Sequence, residues 1–278
     1  MSERERAGFG GTENASSGGR VERPATHSTA RSANQSAVGL EEAVHSAVME
    51  DLLRAAGDPA LTAELALAML QRADLAGLVI EELARNRSLL KQRKVKIALA
   101  SHPQAPRHVS VPLVRQFYTF DLMKVALSPV VPADVKRTVD EVLRGRLKTV
   151  TPGERMTLAR RGSGRIAGAL LADVEEGIMR AALENARLTE ALVVQGVLRA
   201  EAGSALIHAV GGHAKWSYRR DVQVALLRTE YLSLARALAF ARGMTAPRLR
   251  EILQTSRLPQ RIKEQLLRQS QRAGERRN

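Results

Sequence analysis

Short helical segments with one apolar face recur along this chain. Each ends near an Ala-Leu pair and is followed by a polar turn and a second apolar segment. The clearest copies span residues 95–114, 178–198 and 221–240, and weaker copies span 122–143, 156–171 and 249–267. Because one segment cannot bury its own apolar face, neighbouring copies must stack on each other. The pattern predicts an all-α fold, an α-solenoid of stacked helical hairpins.

Signals for helix starts support this prediction. The run Thr151-Pro152-Gly153-Glu154 has the capping-box pattern, with proline in the first helical position. Asp58-Pro59 marks another start. Apolar residues follow helical spacing along the chain, and no stretch sustains the alternation of a β-strand. We therefore expect about 14–16 short helices.

The composition changes along the chain and indicates three parts. Residues 1–38 are rich in Gly, Ser, Ala, Thr, Asn and Arg and have few apolar side chains. Such a segment cannot offset the entropy of ordering, so we expect a disordered N-terminal tail. The solenoid is expected over residues 39–269. Residues 270–278 are expected to be a basic, disordered C-terminus.

The segment Ala98-Leu99-Ala100-Ser101-His102-Pro103-Gln104-Ala105-Pro106, with the apolar helix that follows, resembles the repeat unit of HEAT-like and leucine-rich-variant proteins of bacteria. The resemblance extends over roughly residues 40–270 and implies helical hairpins stacked into a solenoid. The whole chain also looks like an uncharacterised family of bacterial repeat proteins, which implies no particular activity. One leucine-rich-variant type carries a cysteine-bound iron–sulfur cluster, and this feature does not transfer because the chain has no cysteine.

The residue content argues against several kinds of chemistry. The absence of cysteine excludes disulfides, thiolate nucleophiles and cysteine-bound zinc. The six histidines include no pair at a spacing typical of a metal site, and no nucleophile elbow is present. Adjacent carboxylates diverge by about 100° on a helix and do not converge on one substrate. We expect no enzymatic activity, no cofactor and no metal.

The first residues are hydrophilic, without the apolar core of a secretory signal. No apolar run approaches the ~18 residues that a membrane span needs. We therefore expect a cytoplasmic protein without a membrane partner.

Charge is distributed unevenly along the chain. Residues 39–84 contain two basic and nine acidic residues, a net charge of −7. Residues 85–256 contain 29 basic and 14 acidic residues, a net charge of +15, and residues 257–278 carry +5. Such asymmetry bears on partners rather than on the fold.

Three basic clusters are the candidate anion- or nucleic-acid-binding residues. The first is the run Arg160-Arg161-Gly162-Ser163-Gly164-Arg165 between two predicted helices. Its glycines permit unusual φ angles, and Ser163 is placed to cap the helix that follows. Free N–H groups and the side chains of Arg160, Arg161 and Arg165 would hold a phosphate or carboxylate. The alternative is a flexible turn with solvated charges.

The second cluster, Lys215-Trp216-Ser217-Tyr218-Arg219-Arg220, interleaves two aromatic residues with three cations. Base stacking on Trp216 and Tyr218, with phosphate contacts from Lys215, Arg219 and Arg220, would suit single-stranded nucleic acid. The alternative is that both aromatic rings pack at a repeat junction.

The third cluster is Lys91, Arg93 and Lys94 on a basic helix surface. Together with Arg144, Arg146, Lys148 and Arg155, it would form a stripe along successive repeats. The alternative is a solvated helix face that complements the acidic residues between 41 and 82. The aromatic group Phe117, Tyr118 and Phe120 is expected to pack in the core.

These observations predict that the protein is a non-enzymatic repeat scaffold. Its expected partner is another protein, possibly an acidic one. The alternative is DNA or RNA binding through the basic solenoid surface, driven by counterion release. Self-association is a third hypothesis, in which the acidic first repeats of one copy meet the basic repeats of another.

Overall fold

The computed structural model describes residues 39–275, with side chains through residue 272. Seventeen α-helices and a 3-10 helix at Leu89–Lys91 lie in this part of the chain, and no strand occurs between residues 39 and 275. In chain order the helices are α1 (39–45), α2 (Met49–Gly57), α3 (Ala63–Leu70), α4 (Gly77–Arg85), α5 (Arg93–Ser101), α6 (Arg107–Val114), α7 (Thr119–Leu127), α8 (Ala133–Arg146), α9 (Pro152–Arg161), α10 (Gly164–Leu170), α11 (Glu176–Leu183), α12 (Glu190–Val197), α13 (Ser204–Gly212), α14 (Arg220–Leu227), α15 (Leu234–Ala241), α16 (Ala246–Gln254) and α17 (Gln260–Glu275).

The helices alternate between two layers. In the even layer α2 contacts α4, and a second series runs through α6, α8, α10, α12, α14 and α16. In the odd layer α3 contacts α5, which contacts α7; α9, α11 and α13 form the next series, and α15 contacts α17. Hairpins such as α5–α6 and α7–α8 join the layers. Because the main contacts of each helix are with helices one or two positions along the chain, the fold is an α-solenoid, and this prediction is confirmed.

The core is a cluster of mainly aliphatic side chains that runs from Leu40 in α1 to Leu266 in α17. Leu, Val, Ile and Ala fill most of the space between the layers, and Phe117, Trp216 and Phe240 are the aromatic residues buried there. Most helices have only two or three turns, a length that is marginal in isolation. Their stability therefore comes from the apolar faces that neighbouring repeats cover.

The helix start predicted by the capping box is confirmed, whereas Asp58-Pro59 lies in the turn after α2 and α3 begins only at Ala63. Thr151 and Glu154 form the predicted capping box at α9: the Thr151 hydroxyl accepts from the Glu154 N–H, and the Glu154 carboxylate accepts from the Thr151 N–H. The bond from the Thr151 N–H, with a second from the Thr151 hydroxyl to the same carboxylate oxygen, holds the pKa of Glu154 below its usual range. Thr62 caps α3 in a simpler way, accepting a hydrogen bond from the Leu65 N–H.

Buried polar side chains in the turns fix the register of successive repeats. His102 after α5, Asn185 after α11 and Ser256 after α16 each accept a hydrogen bond from the N–H two residues on. Each also lies within hydrogen-bond distance of a carbonyl near the end of the helix two positions back, at Arg72, Ala159 and Leu227 respectively. For His102 this pattern requires that Nε2 carries the proton and Nδ1 accepts. Each turn is therefore bonded to the repeat before it.

The structure differs from two other sequence-based expectations, and a third concerns residues outside the part of the chain that it describes. The predicted disordered tail, residues 1–38, lies outside the described residues. Helix α17 continues to Glu275, past residue 269 where the solenoid was expected to end. In the aromatic group Phe117 is buried as predicted, but Tyr118 is 71% exposed and Phe120 41% exposed. The core prediction was wrong for these two because they lie at the start of α7, outside the packed interior.

Candidate binding surface

The turn between α9 and α10 holds the first predicted cluster. Ser163 caps α10 as predicted, since its hydroxyl accepts from the Ile166 N–H. The same hydroxyl donates to the Asp140 carboxylate at 2.6 Å, so it is engaged by the protein itself. Arg160 lines a cleft beside α11 and α13, whereas Arg165 lines a cleft beside α8 and α12. Arg160 and Arg165 are both exposed but line different clefts, so the three arginines of this run do not form one anion site.

The two glycines of this turn serve close packing rather than an unusual backbone angle. Gly162 has φ of −67°, which any residue adopts. A Cβ at Gly162 would collide with the carbonyl oxygen of Leu158, and a Cβ at Gly164 would collide with that of Arg187. The expectation of a special φ was wrong, because what the turn requires is the absence of a side chain.

The second cluster divides into a buried and an exposed part. Trp216 is only 2% exposed and its Nε1 donates to the Leu183 carbonyl, which joins this turn to the end of α11. Lys215 Nζ lies 4.1 Å from the centroid of the indole ring. Tyr218 is 82% exposed, and Arg219 and Arg220 are also exposed. The packing alternative therefore holds for Trp216 and fails for Tyr218.

The third cluster also divides. Arg93 donates from Nε and Nη2 to the two carboxylate oxygens of Asp121, each at 2.8 Å, although Asp121 is almost fully buried. This bond raises the pKa of the Arg93 guanidinium, which also lies 5.2 Å from the Tyr118 ring centroid. The pair joins α5 to α7, so Arg93 has a structural partner. Lys91 and Lys94 are exposed and make no ion pair with a described residue.

Part of the predicted basic stripe forms a groove. Arg144, Lys148 and Arg155 line one cleft, of about 580 Å³, together with Arg199. Arg146 is absent from it, since its guanidinium donates to the carbonyls of Arg115 and Phe117. Lys91, Arg93 and Lys94 do not line this cleft.

Asp140 lies at the inner wall of the adjoining cleft. Burial raises the pKa of its carboxyl, while the Ser163 hydroxyl and the positive charge of Arg165 lower it by smaller amounts. The buried carboxylate is therefore tolerated at a cost, with its hydrogen bond and its cationic neighbour offsetting part of the desolvation.

A larger cleft, of about 1090 Å³, lies in the odd layer between α11 and α13. His208 and His213 both line it, and His213 Nε2 lies 3.1 Å from a Glu184 carboxylate oxygen. His213 Nδ1 accepts a hydrogen bond from the Lys215 N–H. Within the described part of the chain, no group of three or more His, Asp or Glu side chains is placed to hold a metal ion.

Sequence reasoning missed Arg199 and Gln195, which line the groove beside α12. One signal was available for Arg199: arginine recurs at the C-terminal ends of the even helices, at Arg85, Arg115, Arg146, Arg199 and Arg228. Cations at helix C-termini also complement the helix dipole, so recurrence alone does not separate binding from stability.

Comparisons with known proteins were negative. No family model matches the chain, and neither does any curated protein or any solved structure. Between residues 39 and 275, no helix is long and apolar enough to cross a membrane.

Proposed function

We propose that this protein is a non-enzymatic repeat scaffold that binds a protein partner through its basic surface. The observation that supports this most is a set of exposed cations that make no ion pair with any described residue: Lys91, Lys94, Arg160, Arg161, Arg165, Lys215, Arg219 and Arg220. Ion pairs at Arg93 and Arg155 hold the fold together, so the protein separates structural cations from free ones. Free cations on a solenoid are available to an acidic partner.

The partner is expected to be acidic because the charge that it meets is strongly positive. Residues 85–256 carry a net charge of +15. Charge complementarity of this kind mainly accelerates association and selects among partners. We place the chain among HEAT-like or leucine-rich-variant repeat scaffolds on the strength of its repeat pattern.

The test is capture from a nuclease-treated lysate of the native cells with the full chain as bait. The matched variant changes exposed cations on several surfaces to glutamate: Lys91, Lys94, Arg144, Arg160, Arg161 and Arg165. We expect a stoichiometric protein that the wild-type chain retains and the variant loses, while circular dichroism shows an unchanged helix content. Retention of no protein by the wild-type chain, or equal retention by both, would contradict the proposal.

Nucleic-acid binding is the second candidate, and Tyr218 favours it. This exposed ring lies beside Lys215, Arg219 and Arg220, a combination suited to base stacking with phosphate contacts. The burial of Trp216 leaves Tyr218 as the only ring of this cluster that a base can reach. Fluorescence anisotropy with single-stranded DNA at about 50 mM salt should show binding that falls steeply with salt. Tyr218→Ala should weaken this binding, and no anisotropy change with the wild-type chain would exclude the candidate.

Self-association would use the same charge asymmetry, with residues 39–84 of one copy, at −7, facing the basic repeats of another. Light scattering should then show oligomers at low salt that dissociate as screening increases, at about 0.5 M salt. A monomer under both conditions would rule this arrangement out.

A further inference from the structure

A groove crosses three successive helices of the even layer. One cleft, of about 350 Å³, is lined by α8, α10 and α12, and the second, of about 580 Å³, continues it toward α9 and the turn after α10. Both clefts share Arg144, Ala169, Gln195 and Arg199. The small side chain of Ala169 leaves this space open on α10. We call the two clefts together the even-layer groove.

Except for Arg155, the cations of the even-layer groove form no ion pair with a described residue, although Arg165 is close enough to Asp140 to lower the pKa of its carboxyl. Arg144, Lys148, Arg165 and Arg199 line it and make no ion pair with any residue between 39 and 272. Arg155 is different: its Nε lies 3.0 Å from Asp173 and its Nη2 lies 2.7 Å from Glu175. Arg155 is therefore neutralised within the protein, whereas the other four cations of the groove are available to a ligand.

The rest of the lining selects among anionic ligands. Val174 is 95% exposed and lines the groove together with Leu147 and Leu192. A ligand can therefore make apolar contacts there as well as ion pairs. No aromatic side chain lines either cleft among the described residues, so bases find no stacking platform. The chemistry fits a polypeptide better than a nucleic acid.

The spacing of the cations fits an extended chain. Arg144 is on α8, Arg165 on α10 and Arg199 just beyond α12. Neighbouring helices pack about 8–10 Å apart, so these three positions span about 20 Å. An extended peptide rises about 3.3 Å per residue, so about six residues cross the groove. Its alternate side chains point the same way, so carboxylates at every second position can all face the arginines, and apolar residues can occupy the positions between them.

We propose that the even-layer groove binds an extended segment of the partner protein in which acidic and apolar residues alternate. Carboxylates of this segment pair with Arg144, Arg165 and Arg199, and Gln195 is placed to bond its backbone. This inference rests on the proposed function, and it names the partner's chemistry and the place where it binds.

The direct test uses a fluorescein-labelled eight-residue peptide of alternating glutamate and valine, with the full-length chain. The groove variant combines Arg144→Gln, Arg165→Gln and Arg199→Gln. The matched control combines Arg219→Gln, Arg220→Gln and Arg250→Gln, which removes the same charge from exposed arginines elsewhere. We expect the groove variant to weaken binding by at least about tenfold and the control by less than about threefold. A peptide of alternating glutamate and serine should bind more weakly than the valine peptide.

A second measurement keeps the wild-type groove charges. The chain has no cysteine, so Val174→Cys introduces the only thiol, at an exposed position of the groove. An environment-sensitive dye on this thiol should shift its emission when the glutamate–valine peptide is added. The same dye at Leu78→Cys, an exposed position on α4 outside the groove, should not respond.

Several results would overturn the proposal. Equal losses in the groove variant and its control would mean that the peptide follows net charge alone. An oligothymidylate that binds more tightly than the peptide and is lost in the groove variant would make the groove a nucleic-acid site. A dimer of the chain that disappears in the groove variant, without peptide binding, would make a second copy the occupant. If lysate capture finds a partner that the groove variant still retains, the scaffold function stands and this inference falls. If the peptide binds in the groove but no partner is captured, the preference of the groove for such a peptide stands and the scaffold function falls.

Discussion

Asn185 makes three hydrogen bonds from a side chain that is almost fully buried. Its amide nitrogen donates to the carbonyls of Ala159 and Gly162, and its oxygen accepts from the Arg187 N–H. The first two bonds reach the preceding odd-layer helix, and the third closes the local turn. This residue therefore couples the conformation of a turn to the register of two repeats.

We expect Asn185→Ala to lower the free energy of unfolding by about 2–4 kcal/mol, because buried carbonyls and an N–H lose their partners. The matched control is Asn86→Ala. The Asn86 side chain accepts hydrogen bonds from residues 88 and 89 and reaches no other repeat, so its loss should cost under about 1 kcal/mol. Urea unfolding followed by circular dichroism measures both, and similar costs would show that the inter-repeat bonds add little.

Asp140 predicts a dependence of stability on pH. Burial raises the pKa of its carboxyl in the folded protein above the unfolded value of about 3.9. Between these two values the folded state binds more protons than the unfolded state, so this residue lowers stability as pH rises. Asp140→Asn removes the effect and keeps an oxygen that accepts from Ser163.

The Tm of Asp140→Asn relative to the wild type should therefore increase as the pH is raised from about 4 to 7. Ser163→Ala serves as the second variant: it removes a hydrogen bond that lowers the pKa of Asp140, so the pH dependence should become steeper. A Tm difference between Asp140→Asn and the wild type that stays constant over this range would contradict the assignment.

At this scale the sequence predicted local bonding well and exposure poorly. The capping box of Thr151 and Glu154 and the cap at Ser163 both form as predicted. The burial of Trp216 and the exposure of Tyr218 depend on which side of the turn faces the core and which faces the solvent. Two residues apart, they take opposite environments, and periodicity within a turn contains no such information.

At the scale of helices, close packing at the α9–α10 turn explains a glycine that the sequence left ambiguous. Gly164 begins α10 against the backbone of Arg187 in the next repeat. Gly145 lies inside α8 with open space around the position of a Cβ. The same substitution to alanine should therefore have opposite effects on stability at these two positions.

Gly164→Ala should destabilise the protein by about 1–3 kcal/mol through overpacking against a carbonyl that cannot move freely. Gly145→Ala should stabilise it by about 0.5–1 kcal/mol, since alanine favours the helix and meets no neighbour. Thermal unfolding of both variants measures the difference. A stabilising effect at Gly164 would show that the turn tolerates a side chain.

The helices themselves were largely predictable, because short apolar periods and capping signals are local. The layer that each cation faces was not predictable from the sequence. Arg160 and Arg165 are five positions apart in one run, yet they line clefts on different layers. Helix rotation about the hairpin decides this, and it is set by contacts with helices two positions along the chain.

At the scale of the whole molecule, stacking of neighbours makes stability local. Contacts join helices one or two positions apart, so the last helices depend mainly on each other. The repeat pattern alone predicted this architecture. It did not predict that α17 would continue to Glu275 as the final covering helix, since the polar, basic composition of that end resembles a disordered tail.

A substitution at Leu266 tests whether the stability of each helix depends mainly on its neighbours. It is fully buried on α17, and α17 packs on α15 and α16. Leu266→Asp places a charge in an apolar interface, which should release α17 and expose the apolar faces of those two helices. Hydrogen exchange should then accelerate in α15, α16 and α17, while the amides of α5 to α13 keep their protection. Gln265→Asp adds the same side chain at an exposed neighbouring position and should change little. Uniform loss of protection from α2 to α17 in Leu266→Asp would mean that the solenoid unfolds as one cooperative unit instead of fraying from its end.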